Sequence, residues 1–256
     1  MKTKRNNKVR KNKTRKKHNK LKHYIFGYGS LINPNSIKHT GGGSIGKLTP
    51  VVLKKSAGFT IEWFCHSLQF KERVFVTLKK NKNRSQNVYG VIAPIQGNFK
   101  EFDKREKGYK RIDIYYDPNK KCCFKSLYGY KMPDHKCFIH FYINEKKTKK
   151  PNKDCPISQN YIDVIVLGAL KFNHDFAKKI IKSIHYWKGN NGLVHWVNDR
   201  KYRKKRKYMR NVSNYKLKKV DSFIKKIIPR YFNKRTECFC LNSEGISKNN
   251  LLKIVK

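Results

Sequence analysis

Two groups of residues carry chemistry by type and spacing. The first is Tyr28-Gly29-Ser30-Leu31, at the end of the apolar run Tyr24-Ile25-Phe26-Gly27. A strand that ends in such a glycine turn can expose several backbone N–H groups on one side. A concave set of donors of this kind holds an anion such as a carboxylate or a phosphate. The same residues also read as a strand followed by an ordinary tight turn, since glycine turns are common. The second group centres on Glu106. With Asn98 as a cap and Glu101 three residues on, Phe99, Phe102, Asp103 and Glu106 fall on one face of a short helix. A glutamate sharing a face with two phenylalanines is either at a fraying helix end beside Gly108 or held half-buried. Burial disfavours its charged form and lifts its pKa toward neutrality. That suits a group that takes and returns a proton.

Other chemistries find little support. The chain has no Walker loop, no HExxH and no dinucleotide-binding glycine fingerprint. No Ser, His and Asp set can be assembled. His66, His135, His140, His174, His185 and His195 are scattered, and no pair has a strong metal-ligand spacing. Seven cysteines are present, Cys122 and Cys123 adjacent, and no CxxC pair occurs. Reduced thiols in an intracellular protein are the expectation. Cys238-x-Cys240 has the form of a metal pair, but a surface or core role fits better.

The elements that position these residues alternate between short strands and polar turns. Tyr24–Gly27 is a strand, and Asn33-Pro34-Asn35 breaks it. Gly41-Gly42-Gly43 is a flexible loop. Lys47–Ile61 reads as irregular or bulged strands around Pro50 and Gly58. The register of Ala57–Gln69 is ambiguous, because Glu62 and His66 are odd residues for a barrel strand. Val74–Leu78 is a strand, Asn81–Asn87 a polar hairpin loop, and Val88–Ile95 a near-continuous apolar strand buried on both faces. Tyr109–Tyr116 and Cys137–Ile143 are further strands. From Ser158 the period becomes helical: Tyr161, Ile162, Ile165, Val166 and Ala169, then Phe172–Tyr186, then Leu217–Ile228 ended by Pro229.

The chain of 256 residues carries 62 Lys and Arg against 16 Asp and Glu, a net charge of +46. Such a surplus attracts nucleic acid, acidic proteins and membrane surfaces. Abundant Lys, Asn, Ile and Tyr also fit simple compositional bias on a solvated surface. Residues 1–22 hold twelve Lys or Arg and no acid. This basic tail should be disordered, and it reads as a non-specific nucleic-acid arm, a nuclear signal, a packaging tail or a solubilising extension. No run of eighteen apolar residues occurs, so no membrane span is expected. No apolar signal core opens the chain, which points to a cytoplasmic location, or a nuclear or particle-associated one through the tail. The organisation expected is a tail over 1–22, a first domain over 23–145, a helical extension over 146–232 packing on it, and a weakly organised tail over 233–256.

Phe26-Gly27-Tyr28-Gly29-Ser30-Leu31, followed at this separation by Phe102-Asp103-Lys104-Arg105-Glu106-Lys107-Gly108-Tyr109, resembles the γ-glutamylcyclotransferase family. Its members open with a strand ending in a YGS-type loop and later carry a [FL]DxRE…GY segment. Tyr161–Ile165 with Gly168-Ala169-Leu170, and later Trp196-Val197-Asn198-Asp199-Arg200, is similar to a helical C-terminal extension of some members. The resemblance spans about Tyr24 to Arg210. It implies an α+β fold, a small mixed β-barrel with flanking helices. It implies a small γ-glutamyl substrate cyclised to 5-oxoproline with release of an amine or amino acid, as in glutathione breakdown. On this reading Glu106 is catalytic, and Tyr28, Gly29, Ser30, Leu31 and Tyr109 bind substrate. Tyr28 and Tyr109 offer either a hydroxyl contact or ring packing. No metal and no organic cofactor is implied. The family turn often reads YGSNL, whereas here Leu31 directly follows Ser30, and the basic tail and the 203–210 run have no counterpart in a minimal member.

Overall fold

The computed structural model describes residues 21–40, 45–68, 71–83, 85–95, 99–145, 149–201, 209 and 211–237. Nearly all of the basic tail, the glycine run 41–43, Asn98, most of 203–210, and Cys238 and Cys240 lie outside these residues.

Strand β1 (Lys22–Gly27) runs into a 3-10 turn, Gly29–Ile32, and helix α1 (Pro34–Thr40). Strands β2 (Thr49–Leu53), β3 (Phe59–Leu68), β4 (Lys71–Lys80) and β5 (Val88–Ile95) follow. Next come α2 (Lys100–Arg105), β6 (Lys110–Tyr116), β7 (Phe124–Ser126) and β8 (Cys137–Ile143). The rest is mainly helical: β9 (Ile157–Ser158), α3 (Gln159–Leu170), α4 (His174–Ser183), β10 (Trp196–Asn198), α5 (Asn214–Ile227), α6 (Pro229–Phe232) and β11 (Thr236–Glu237).

Six strands form one curled half-barrel sheet in the order β6-β8-β1-β5-β2-β7. The β1–β8 pair is parallel and the others are antiparallel. The architecture is mixed α+β with six helices among the described residues. The small β-barrel expected is met in part: among the described residues the sheet curls but does not close, with β6 and β7 as its two edges. Strand β5 is apolar along its length because it lies inside the sheet, with Val88, Val91, Ile92 and Ala93 buried.

The hairpin expected across 81–87 is not formed. Strand β4 pairs with β3, Phe59 opposite Lys80, whereas β5 pairs with β1 and β2. The polar loop carries the chain from one sheet to another, and loop composition does not encode which strands pair. The register left ambiguous over Ala57–Gln69 is fixed by β4: Glu62 is buried on β3 opposite Thr77, and its backbone bridges to His185.

The helices are bounded by their caps. Ser158 Oγ accepts from Tyr161 N–H at α3, and Asn173 Oδ1 accepts from Phe176 N–H at α4. The Asn173 cap moves the start of α4 to His174, and the chain is extended again at Ile184, so the helix is shorter than 172–186. Pro229 opens α6 as well as closing α5, since a proline fits the first helical turn. One main apolar core joins the sheet to these helices, through Phe26, Phe141 and Phe124 on one side and Trp63, Trp187 and Trp196 on the other.

The thiols correct a further expectation. Cys65 and Cys155 form a disulfide across 90 residues of sequence, tying β3 to the segment before β9. Cysteine spacing carries no signal for a pair so far apart. Cys122, Cys123 and Cys137 are free thiols. No helix of the described residues is long and apolar enough to cross a membrane.

Candidate functional site

The glycine turn is built by close packing. Gly29 takes a left-handed φ of +55°, and a Cβ there would lie 2.8 Å from the Tyr161 hydroxyl. Both the conformation and the contact require glycine. Helix α3 presses on the same turn. A Cβ on Gly168 would meet Asn33 Cα at 2.5 Å, and Asn33 Nδ2 donates to Val164 O at 3.1 Å. Within the turn, Leu31 N–H donates to Tyr28 O and Asn33 N–H to Ser30 O. Leu31 is a core side chain.

Helix α2 brings Arg105 and Glu106 to the same turn. It is short, its N-cap is Phe99 with no side-chain cap bond, and Phe102 is its buried anchor. Glu106 is the C-cap residue, one step beyond the last helical residue. Its side chain is 19% exposed, so it is both at the helix end and half-buried. Its carboxylate pairs with Arg105 Nε at 3.2 Å. The remaining arms of the Arg105 fork donate to Ser30 Oγ at 2.7 Å, Ser36 Oγ at 3.2 Å and Ser36 O at 3.1 Å. One guanidinium therefore fixes Glu106 to the glycine turn and to α1. Asp103 faces the other way. It takes two hydrogen bonds from Arg111 Nη1, each at 2.8 Å, and one from Tyr142 O–H at 2.6 Å.

Burial raises the pKa of Glu106, and the positive charge of Arg105 opposes that rise only in part. Three tyrosines feel the same carboxylate. Tyr161 is pushed up to about 12, first by burial and then by Glu106, while the backbone of Ser30 and Val76 acts in the opposite sense. Tyr28 is raised by burial and then by Glu106, and Tyr109 by burial, Tyr28, Tyr161 and Glu106. These phenols stay protonated at any ordinary pH and can only donate or accept neutral hydrogen bonds. Tyr28 already donates its hydroxyl to Tyr142 O at 2.6 Å. The result is a desolvated acid with a single cationic partner among the described residues, beside a tight turn and near three phenols. Such a group can take up and release a proton more readily than an exposed carboxylate.

Of the residues singled out from sequence, Glu106, Tyr28, Ser30 and Tyr109 come together at this corner, with Gly29 and Leu31 as its packing frame. Two contributors escaped sequence reading. Arg105 lies inside the quoted Asp103–Gly108 segment, yet no periodicity shows that it reaches Ser30. Tyr161 sits in the apolar stripe of α3 and looks like any core aromatic. Among the described residues no group of three His, Cys, Asp or Glu side chains could hold a metal ion.

No protein-family model matches the chain, and no curated protein matches it. Among solved structures, it is similar to one described as a gamma-glutamyl cyclotransferase, at 17% identity over 78% of this chain and 99% of that chain, with a TM-score of 0.46. It is similar to an uncharacterized protein from Homo sapiens at 15% identity over 78% and 99% of the two chains, with a TM-score of 0.46. An Arabidopsis thaliana protein, At5g39720.1, matches at 14% identity over 50% and 72%, with a TM-score of 0.34.

Proposed function

We propose that the chain is an enzyme that cyclises a γ-glutamyl amide to 5-oxoproline and releases an amine or amino acid. The observation that carries the reading is Glu106. It is a half-buried carboxyl with a raised pKa, tied through Arg105 to the turn that ends β1. The resemblance of the Tyr28–Leu31 and Asp103–Tyr109 segments to γ-glutamylcyclotransferases supports the same assignment.

In this reaction the substrate's own α-amine attacks its γ-carbonyl carbon. A new C–N bond closes the five-membered ring and the old amide C–N bond breaks. Both partners belong to one molecule, so holding it folded supplies much of the rate. The amine must lose a proton to attack, and the leaving nitrogen must gain one. Glu106 takes the first proton as carboxylate and returns it as acid, which a raised pKa favours. Arg105 is a positioning residue: it orients Glu106 and pins Ser30. Backbone N–H groups of the turn other than those of Leu31 and Asn33, which the turn itself uses, bind the α-carboxylate end, and Tyr109 is the phenol assigned to the substrate.

The test is 5-oxoproline release from a panel of glutathione, γ-glutamyl amino acids and γ-glutamyl-lysine. Turnover of at least one substrate is expected, abolished in Glu106→Gln with folding intact. Absence of wild-type turnover across the panel overturns the reading.

The net charge of +46 supports a second reading, compatible with the first. Residues 1–22 bind nucleic acid without sequence preference. Affinity should fall steeply with salt and be lost on deleting residues 1–22. Equal binding at low and moderate salt would sink it.

A further inference from the structure

Helices α4 and α5 pack side by side and leave an open cleft of about 430 Å³ between them. Clefts of this size take small ligands. On α4 it is lined by His174, Lys178 and Lys182, which recur every four residues and so share one face of the helix. On α5 it is lined by Phe223, Lys226 and Ile227. Phe223 and Ile227 pack against the main core, and His174 meets the Phe223 ring edge-on at 5.6 Å. The three lysines are exposed. The cleft therefore has an apolar floor that includes an aromatic ring, with ammonium groups on both sides.

The acids nearby already have partners. Asp175 also lines the cleft, but Lys179 pairs with it at 2.6 Å and the Tyr128 hydroxyl donates to it at 2.9 Å. Asp221, the single acid in the α5 sequence, is held by Arg200 and Arg235. Lys178, Lys182 and Lys226 form no ion pair among the described residues. Like charges four residues apart on a helix repel each other, so Lys178 and Lys182 weaken α4 unless an anion lies between them. They stand about 6 Å apart along the helix axis. A chain of phosphates can meet both of them and Lys226, whereas a single phosphate cannot span the set. The ring supplies the other half of the recognition, because a nucleobase presents a flat face that stacks on an aromatic side chain. We propose that the α4–α5 cleft binds a nucleoside polyphosphate, with the base on Phe223 and the phosphate chain on Lys178, Lys182 and Lys226. His174 fixes the plane of the ring. The site shares no residue with the Glu106 corner or with residues 1–22, so it stands or falls apart from the cyclisation and from the basic tail.

The full chain is titrated by calorimetry with adenosine triphosphate, inorganic triphosphate and adenosine, at about 0.15 M salt, where long-range attraction is screened. One nucleotide should bind per chain. Inorganic triphosphate should bind about fivefold more weakly or worse for want of the stacked base, and adenosine should bind more weakly than the nucleotide for want of the phosphates. Combining Lys178→Glu, Lys182→Glu and Lys226→Glu should lower nucleotide affinity by about tenfold or more. The same reversals at exposed lysines elsewhere, Lys38→Glu with Lys104→Glu and Lys107→Glu, should change it by less than about twofold. Phe223→Leu keeps an apolar side chain on the core and should bring nucleotide and inorganic triphosphate to equal affinity. In the wild type, a photoreactive azidoadenosine triphosphate should label the peptide that contains Phe223. Equal losses in the two triple variants would reduce the cleft to bulk charge, and inorganic triphosphate matching the nucleotide would reduce it to an anion patch; either result overturns the proposal. So does an absence of nucleotide binding to the wild type, labelling confined to residues 1–22, or a photoreactive single-stranded oligonucleotide that labels the cleft peptide where the free nucleotide does not. The labelling needs no variant, so it decides the matter should a substitution unfold the chain.

Discussion

Two acids have a pKa raised by burial, Glu106 and Asp163, and the molecule treats them in opposite ways. Burial is the first cause of a raised pKa at both. Asp163, on α3, is fully enclosed and takes three close hydrogen bonds: from Arg200 Nε and Nη2, each at 2.7 Å, and from Gln159 Nε2 at 2.7 Å. Arg200 also binds Asp221 at 2.6 Å, and Arg235 joins Asp221 at 2.8 Å, so the set forms a closed network of alternating charges. Burial opposes the charge on Arg200, but its hydrogen bonds to Asp163 and Asp221 outweigh that and hold it protonated. Among the described residues Glu106 has one cationic partner, Arg105, whose fork is mostly spent on Ser30 and Ser36. A saturated carboxylate gives orientation and specificity to packing. An under-partnered one retains lone pairs and a proton to exchange. The Asp163 network joins α3 to the segment after β10, and α3 in turn bears Tyr161 and Gly168 against the glycine turn. The saturated site thus holds the frame in which the unsaturated one works.

If that contrast is right, substitution should separate the two sites cleanly. Glu106→Gln should lower kcat for 5-oxoproline release about 10²–10⁴-fold, the usual worth of a positioned acid–base group, with near-UV circular dichroism unchanged. Loss of the folded signal with the activity would make Glu106 a structural residue too. Asp163→Ala should do the reverse. It leaves Arg200 with Asp221 alone and should cost about 3 kcal/mol, a drop in melting temperature of roughly 6–12 °C for a chain of this size. Turnover per folded molecule should stay within about twofold, far below the change expected of a catalytic group. A large loss of turnover in a stably folded Asp163→Ala would break the comparison. Arg105→Met tests the single partner. Its charge holds the Glu106 pKa down, so removing it should move the acid limb of the kcat/KM profile to higher pH. An unmoved limb would show that Arg105 acts only through Ser30 and Ser36.

The two sites also differ in how far they can be read from sequence. Glu106 stands out because a short helical period sets it beside Phe99 and Phe102, and a glutamate there is unusual. Asp163 lies mid-helix among apolar residues, and its partner Arg200 is 37 residues away. Local periodicity shows a buried position but not the long-range pair that satisfies it. The strands follow the same division. Cys137–Ile143 alternates and forms β8 over that span, and Val88–Ile95 is apolar throughout and forms β5. Which strand each meets depends on contacts far along the chain, so the 81–87 hairpin was the natural expectation and the wrong one. Arg105 to Ser30, Tyr161 against Gly29 and Cys65 to Cys155 are likewise products of packing, with no local spacing to reveal them.

The smallest effect expected is a pH-dependent difference in stability between wild type and Glu106→Gln. In the unfolded chain Glu106 titrates near its ordinary value of 4.5, and in the folded state at a higher pH. Between those two values the folded state holds a proton that the unfolded state has released. Stability therefore falls as pH rises through that window and levels off above the folded value. Below the window both states are protonated and the glutamine variant should match the wild type. Above it the variant avoids the cost of a buried charge and should be the more stable protein, by a few degrees in melting temperature. Asp163 is present in both proteins, so its own titration cancels in the difference. Thermal melts of the two proteins from about pH 4 to 8 measure this directly. Curves that stay parallel across the range would mean that Arg105 balances the burial of Glu106 in full, and Glu106 would then hold no raised pKa to exchange a proton with.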